Sequence, residues 1–133
     1  MNPSEGRDPP PRKLKLWQQN LDRSLDNQHD LLQSLGKTAY HIAALQEPYI
    51  GIGDKTRANS YWRVVYPSRH GMDNKKTRAV TLINTSLPTE AWSQLHFPST
   101  DVVAVELRGE FGTLRIVNIY NDGDNNTTIT ILR

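Results

Sequence analysis

Three polar residues stand where an apolar run gives way to a loop: Asn20 after Leu14–Gln19, Glu47 after His41–Gln46, and Tyr120, followed by Asn121-Asp122, after Thr113–Ile119. In open α/β sheets ligands collect at loop-bearing strand ends, because rigid strands deliver polar side chains to one place. Glu47 offers the most specific chemistry. A carboxylate at a strand end is a suitable ligand for Mg²⁺, which prefers oxygen donors and keeps several waters. Each residue also has a plainer reading. Glu47 can cap a loop or pair with an arginine, Asn20 can hydrogen-bond its own backbone in a turn, and Tyr120 can sit at a sheet edge as an amphipathic residue.

A second constellation is the basic loop Ser68–Arg78, which carries Arg69, Lys75, Lys76 and Arg78, with Arg57 and Arg63 nearby in sequence. It is a candidate surface for a phosphate backbone, which such contacts position without reading sequence; a solvated charged loop is the alternative. Residues 1–80 hold 13 Lys/Arg against 8 Asp/Glu, or +5, and residues 81–133 hold 3 against 6, or −3. The four histidines, His29, His41, His70 and His96, show no His-x-Glu or His-Glu-x-x-His spacing of a zinc site. Structural or solvated roles are expected for all four.

The elements that would position these groups follow from periodicity. Leu14–Gln19 alternates as a strand. Ser24 or Asp26 can cap a helix in which Leu25, Leu31, Leu32 and Leu35 share a side, and Gly36 stops it. The nearly continuous apolar run Ile42–Gln46 suggests a strand buried on both faces, parallel to the first and ended by Pro48. Tyr49–Ser60 reads as a loop, and strands follow at Trp62–Tyr66, Ala79–Ile83, Val102–Leu107 and Leu114–Tyr120, with a weaker one over Ala91–Phe97. Gly109-Glu110-Phe111-Gly112 is a plausible hairpin connection. Thr127–Arg133 is expected to begin a second helix. The resulting expectation is an α/β (α+β) chain with one mixed β-sheet and a flanking helix.

The 133 residues suit one domain, and 36% hydrophobic with 23% charged residues is not a disordered profile. Residues 1–12 are an exception: a Pro-rich, charged lead-in expected to be disordered, with the folded part spanning 13–133. No apolar stretch approaches the ~20 residues that span a bilayer, so no membrane partner is expected. With no cysteine, disulfides and thiolate-rich zinc sites are excluded. An intracellular location fits best, the nucleus included.

In their order and spacing, Gln18-Gln19-Asn20, Leu45-Gln46-Glu47-Pro48 and Asn118-Ile119-Tyr120-Asn121-Asp122 resemble successive motifs of the endonuclease/exonuclease/phosphatase superfamily, the deoxyribonuclease-I-like enzymes. The Gln-Glu-Pro form and the segment Thr77–Asn84 are most similar to the apurinic-endonuclease-like domains of non-LTR retrotransposons. The resemblance implies a truncated portion of a four-layer α/β sandwich and a divalent-metal-dependent DNA endonuclease. Glu47 would hold the catalytic Mg²⁺ (or Mn²⁺), with Asn20 beside it on the metal or phosphate, and Tyr120 would reach the phosphate with its hydroxyl. DNA is the implied partner, and a reverse-transcriptase region is implied in a full-length parent.

The later Gly-Asp-Phe-Asn-like segment and the terminal Ser-Asp-His segment of that family have no counterpart here. The expectation is therefore an N-terminal part that lacks the strands of the second sheet, leaves its own apolar face partly exposed, and is inactive alone. Two other readings compete with the enzyme: an inactive retroelement remnant that only binds nucleic acid or protein, and a superfamily member acting on a phosphoinositide or sphingolipid. The Leu45–Pro48 and Tyr120–Asp122 variants argue against the lipid reading.

Overall fold

The computed structural model describes residues 13–72, 74–121 and 127–132. The expected lead-in at 1–12 and Asp122 of the Tyr120 cluster therefore lie outside the described residues. Strand β1 (Leu16–Asn20) leads into helix α1 (Leu25–Leu35), then β2 (Ile42–Gln46), β3 (Trp62–Val65), β4 (Ala79–Asn84), β5 (Trp92–Leu95), β6 (Val102–Gly109), β7 (Gly112–Tyr120) and β8 (Thr127–Leu132). Ser24 caps α1, its hydroxyl accepting from the Asn27 amide at 3.1 Å, and Gly36 ends it at φ +64°, a conformation glycine adopts without a Cβ penalty.

The strands form two sheets rather than one. The first has the order β1-β2-β4-β3 and the second β5-β6-β7-β8. In the first, β1 and β2 are parallel, in register from Leu16↔Ile42 to Asn20↔Gln46, while β4 runs antiparallel to both β2 and β3. The second is antiparallel throughout, with β6 and β7 joined by the expected tight hairpin, Gly109 opposite Gly112. Two expectations fall here. β6 and β7 do not extend the first sheet, and the first sheet's inner face is not exposed, because the second sheet covers it. The residues show how: Ile42, Ala79, Ile83 and Leu87 from one side pack with Val103, Val105, Leu107 and Ile116 from the other.

A second core lies on the opposite face of the first sheet, where Leu31 and Leu35 of α1 meet Ala43, Leu45, Val80 and Leu82. β2 and β4 are thus buried along their whole length, as their continuous apolar runs require. The architecture is α/β, in three successive layers of helix, mixed sheet and antiparallel sheet.

The expected helix at Thr127 is instead β8, paired with β7 from Tyr120↔Thr127 to Arg115↔Leu132. Its run of alternating Thr and Ile is β-branched and costs less on a pleated surface than in a helix. No described helix is long and apolar enough to cross a membrane.

His41 links β1 to β2. Its Nδ1 accepts from the Lys15 amide at 2.9 Å, and its own amide donates to the Lys15 carbonyl at 2.9 Å. Burial, with the Lys15 charge adding to it, holds the imidazole below its ordinary pKa of 6.5. The unfolded chain therefore binds this proton more readily than the folded one, so stability is complete above pH 6.5 and declines as pH falls toward the depressed folded value. Urea denaturation between pH 7.5 and 5 should show that decline, and His41→Gln should flatten it; an unchanged pH profile in the variant would refute the assignment.

Candidate active site

The two sheets open into a cleft of about 800 Å³ at the end where β1, β2 and β7 finish. Parallel register brings Asn20 level with Gln46. The Glu47 amide then donates to the Arg78 carbonyl at 2.8 Å, just ahead of β4. The Arg78 amide donates to the Thr100 carbonyl at 3.2 Å, and the Tyr120 amide to the Asp101 carbonyl at 2.8 Å. Backbone bonds therefore carry the connection from the first sheet across to the second. Glu47, Arg78, Asp101 and Tyr120 all line the cleft.

Glu47 has a left-handed backbone, φ +49°, directly before Pro48. That conformation costs a non-glycine residue roughly 1–2 kcal/mol, and it persists because both of its backbone polar groups are held. Its carbonyl accepts from the Arg23 amide at 2.8 Å, and Asp22 and Arg23 are themselves at φ +53° and +56°. Strain of this kind concentrates at functional sites, where the surrounding structure over-determines it. The outcome here is that the carboxylate meets Tyr120: the Tyr120 hydroxyl donates to Glu47 Oε1 at 3.2 Å, between residues 73 apart in sequence. The Arg78 guanidinium lies 5.4 Å from the centre of the Tyr120 ring, within range of a cation–π attraction.

Asn20 occupies the same end of the sheet but is exposed and does not line the cleft. Its Oδ1 accepts from the Asp22 amide at 2.9 Å, the turn geometry that residue type favours. Of the four residues in the expected nucleic-acid set, Lys75, Lys76 and Arg78 line the cleft, while Arg69 is half-buried outside it. Arg57 and Arg63 also lie outside it. None of the four histidines lines it.

Four contributors go beyond what sequence reasoning placed, although Gln46 stood out there as a supporting residue beside Glu47. Arg23 and Asp101 line the cleft, giving four cationic side chains (Arg23, Lys75, Lys76, Arg78) against two carboxylates (Glu47, Asp101) among the described residues. Behind them lies a buried amide network. Gln18 Nε2 donates to Gln46 Oε1, Gln46 Nε2 donates to Asn118 Oδ1 at 2.5 Å, and Asn118 Nδ2 reaches the Val80 carbonyl at 2.9 Å and the Leu45 carbonyl at 3.2 Å. Gln46 and Asn118 are completely buried. Gln46 precedes Glu47, and Asn118 is on the same face of β7 as Tyr120, so the network fixes the two strands just before their functional ends.

The fourth is Gln28, a buried residue on α1. Its Nε2 donates to Thr56 Oγ1 and the Arg57 carbonyl, each at 2.6 Å, and its Oε1 accepts from the Tyr49 amide at 2.8 Å. This ties down the loop whose Pro48, Tyr49 and Ile50 form one cleft wall. Only its break in the apolar helix face could have marked Gln28 in the sequence.

The donor chemistry suits a hard cation. No group of three or more His, Cys, Asp or Glu able to hold a metal occurs among the described residues. Glu47 and Asp101, which line the same cleft, offer carboxylate oxygens, the donor type that hard cations take.

These layers define an α/β fold. Among solved structures, the endonuclease domain of TRAS1, a telomere-specific non-LTR retrotransposon, matches with a TM-score of 0.59 and 20% identity, over 85% of this chain and 47% of that one. The chain thus spans about half the length of that neighbour, and the likeness is one of fold. No family model and no curated protein matches the chain.

Proposed function

We propose that the chain is the N-terminal part of a divalent-metal-dependent DNA endonuclease domain of the non-LTR retrotransposon type. The observation that carries this reading is the contact of Tyr120 with the carboxylate of Glu47, whose backbone is left-handed, inside a cleft whose described lining holds more cations than carboxylates. Glu47 is the metal ligand. A divalent cation held there, Mg²⁺ or Mn²⁺, would supply charge stabilisation at the scissile phosphate and its leaving oxygen. Tyr120 steadies the Glu47 carboxylate with its one hydroxyl proton in the free cleft, a donor that turns to a phosphate oxygen when DNA is bound, while Asn20 steadies the adjacent turn from the outer rim. Arg23, Lys75, Lys76 and Arg78 engage the flanking phosphates of the backbone.

Activation of the attacking water falls to groups other than those that line the described cleft. On this reading the chain binds DNA without cutting it efficiently by itself. The remnant reading, binding without any catalytic parent, shares this cleft and differs only in what lies outside these residues.

Binding to a short duplex, measured by fluorescence anisotropy from low to moderate salt, tests the reading. Affinity should fall steeply with salt, because each neutralised phosphate releases counterions. The double variant Lys75→Ala/Lys76→Ala should weaken binding for all sequences alike and lower the salt slope by about 1–2. Salt-independent binding, or an unchanged slope in the variant, would remove the cleft from the DNA surface.

A further inference from the structure

Ile52 is the most exposed large apolar residue described, at 98%, and it is presented rather than loose. It sits between Gly51 and Gly53 at the tip of the loop whose base, Pro48 to Ile50, forms a wall of the cleft. The tip is a closed turn: the Gly51 amide donates to the Lys55 carbonyl at 2.8 Å, the Asp54 amide donates to the Gly51 carbonyl at 3.1 Å, and Ile50 bridges to Thr56. Gly53 at φ +75° and Asp54 at φ +61° set its curvature. His70 then clasps the tip to the basic loop. Its Nε2–H donates to the Asp54 carbonyl at 2.7 Å and lies 3.5 Å from the Asp54 carboxylate, and its Nδ1 meets the Thr77 hydroxyl. Two residues beyond His70, Met72 is half exposed.

We propose that Ile52, supported by Met72 on the adjoining loop, is an apolar wedge that inserts between base steps of duplex DNA lying across the cleft. The proposal rests on the reading of the cleft as a DNA-backbone site and specifies how a duplex is gripped there. Aliphatic side chains of this kind pry open stacked steps from the minor groove. They are poor platforms for single strands, which proteins hold by stacking bases on aromatic rings. Two separate side chains are also too small a surface for a protein-docking patch, which runs to several hundred Å². The charge fits the same occupant: Lys75 and Lys76 line the cleft from the loop that His70 clasps to the Ile52 tip. The same clasp keeps the wedge ordered before binding, so little entropy is lost on insertion.

The test uses a duplex with 2-aminopurine at a flexible TA step, whose fluorescence rises when the base unstacks. The parent chain should produce that rise. Ile52→Ala should abolish it and weaken binding on the order of tenfold, the scale of one buried aliphatic side chain, with the salt slope unchanged. Ile52→Leu should restore both. Because Ile52 touches so little, its replacement should leave the circular dichroism and urea midpoint untouched.

If the parent binds with steep salt dependence but Ile52→Ala alters neither fluorescence nor affinity, the wedge is wrong and the cleft reading stands. If the parent does not bind the duplex, both are wrong. Loss of self-association in Ile52→Ala with DNA binding intact would give the tip a protein partner and equally overturn the wedge.

Discussion

Asn118→Ala should destabilise the fold by roughly 2–5 kcal/mol, from a lost buried network plus a cavity. Its amide accepts from Gln46 and donates to Val80, Leu45 and Thr81 inside the inter-sheet layer. Truncation orphans the Gln46 amide at a completely buried position, and a buried donor without a partner costs more than a hydrogen bond gains. Against the ~5–15 kcal/mol that holds a typical domain together, the loss is large. Urea denaturation reads it directly. Asn118→Leu should remain destabilising, since it fills space but still strands Gln46. Adding Gln46→Leu should recover part of the loss, because removing both partners is far less costly than removing one. Strictly additive single and double variants would mean that the two amides are not energetically coupled.

The second large effect concerns catalysis. If the proposed function holds, a plasmid-nicking assay with Mg²⁺ should find this chain nearly silent, without the ~10²–10⁴ that a positioned acid or base contributes. The cleft's described lining supplies two carboxylates, two tyrosines and four cations, but no histidine. His41 is occupied between β1 and β2, and His70 by Thr77 and Asp54. Robust nicking by the chain that Glu47→Ala abolishes would show that a described residue, with Asp101 the first to examine, activates water after all.

Much of the frame was legible because local chemistry and long-range packing agree. The alternation of Leu14–Gln19, the Ser24 cap, the Gly36 stop and the continuous run Ile42–Gln46 each carry their own signal, and β1, α1 and β2 follow. The hairpin at Gly109–Gly112 was legible for the same reason. The partner of β6 and β7 was not. Alternation along Thr113–Tyr120 states that one face is buried, yet it is silent on whether that face extends a neighbouring sheet or packs against one. The site divides along the same line. Glu47 and Tyr120 could be picked out as strand-end residues with usable chemistry, and the resemblance placed them together. Gln28, Gln46 and Asn118 look like defects in apolar patterns until the fold shows that each amide is matched to another. Arg23 and Asp101 carried no local mark, since they enter the cleft only through the left-handed turn after β1 and the crossing between sheets.

The central claim is that Glu47 is the metal ligand of this cleft, and paramagnetic broadening by Mn²⁺ in the amide spectrum of the chain tests it most directly. Binding should be weak, since one or two carboxylates hold such a cation poorly without substrate phosphate. At millimolar Mn²⁺ the signals of Glu47, Arg78, Asp101 and Tyr120 should broaden first, and Glu47→Gln should abolish that selectivity while leaving the rest of the spectrum in place. Broadening centred elsewhere, or cleft broadening that survives Glu47→Gln, would contradict the account.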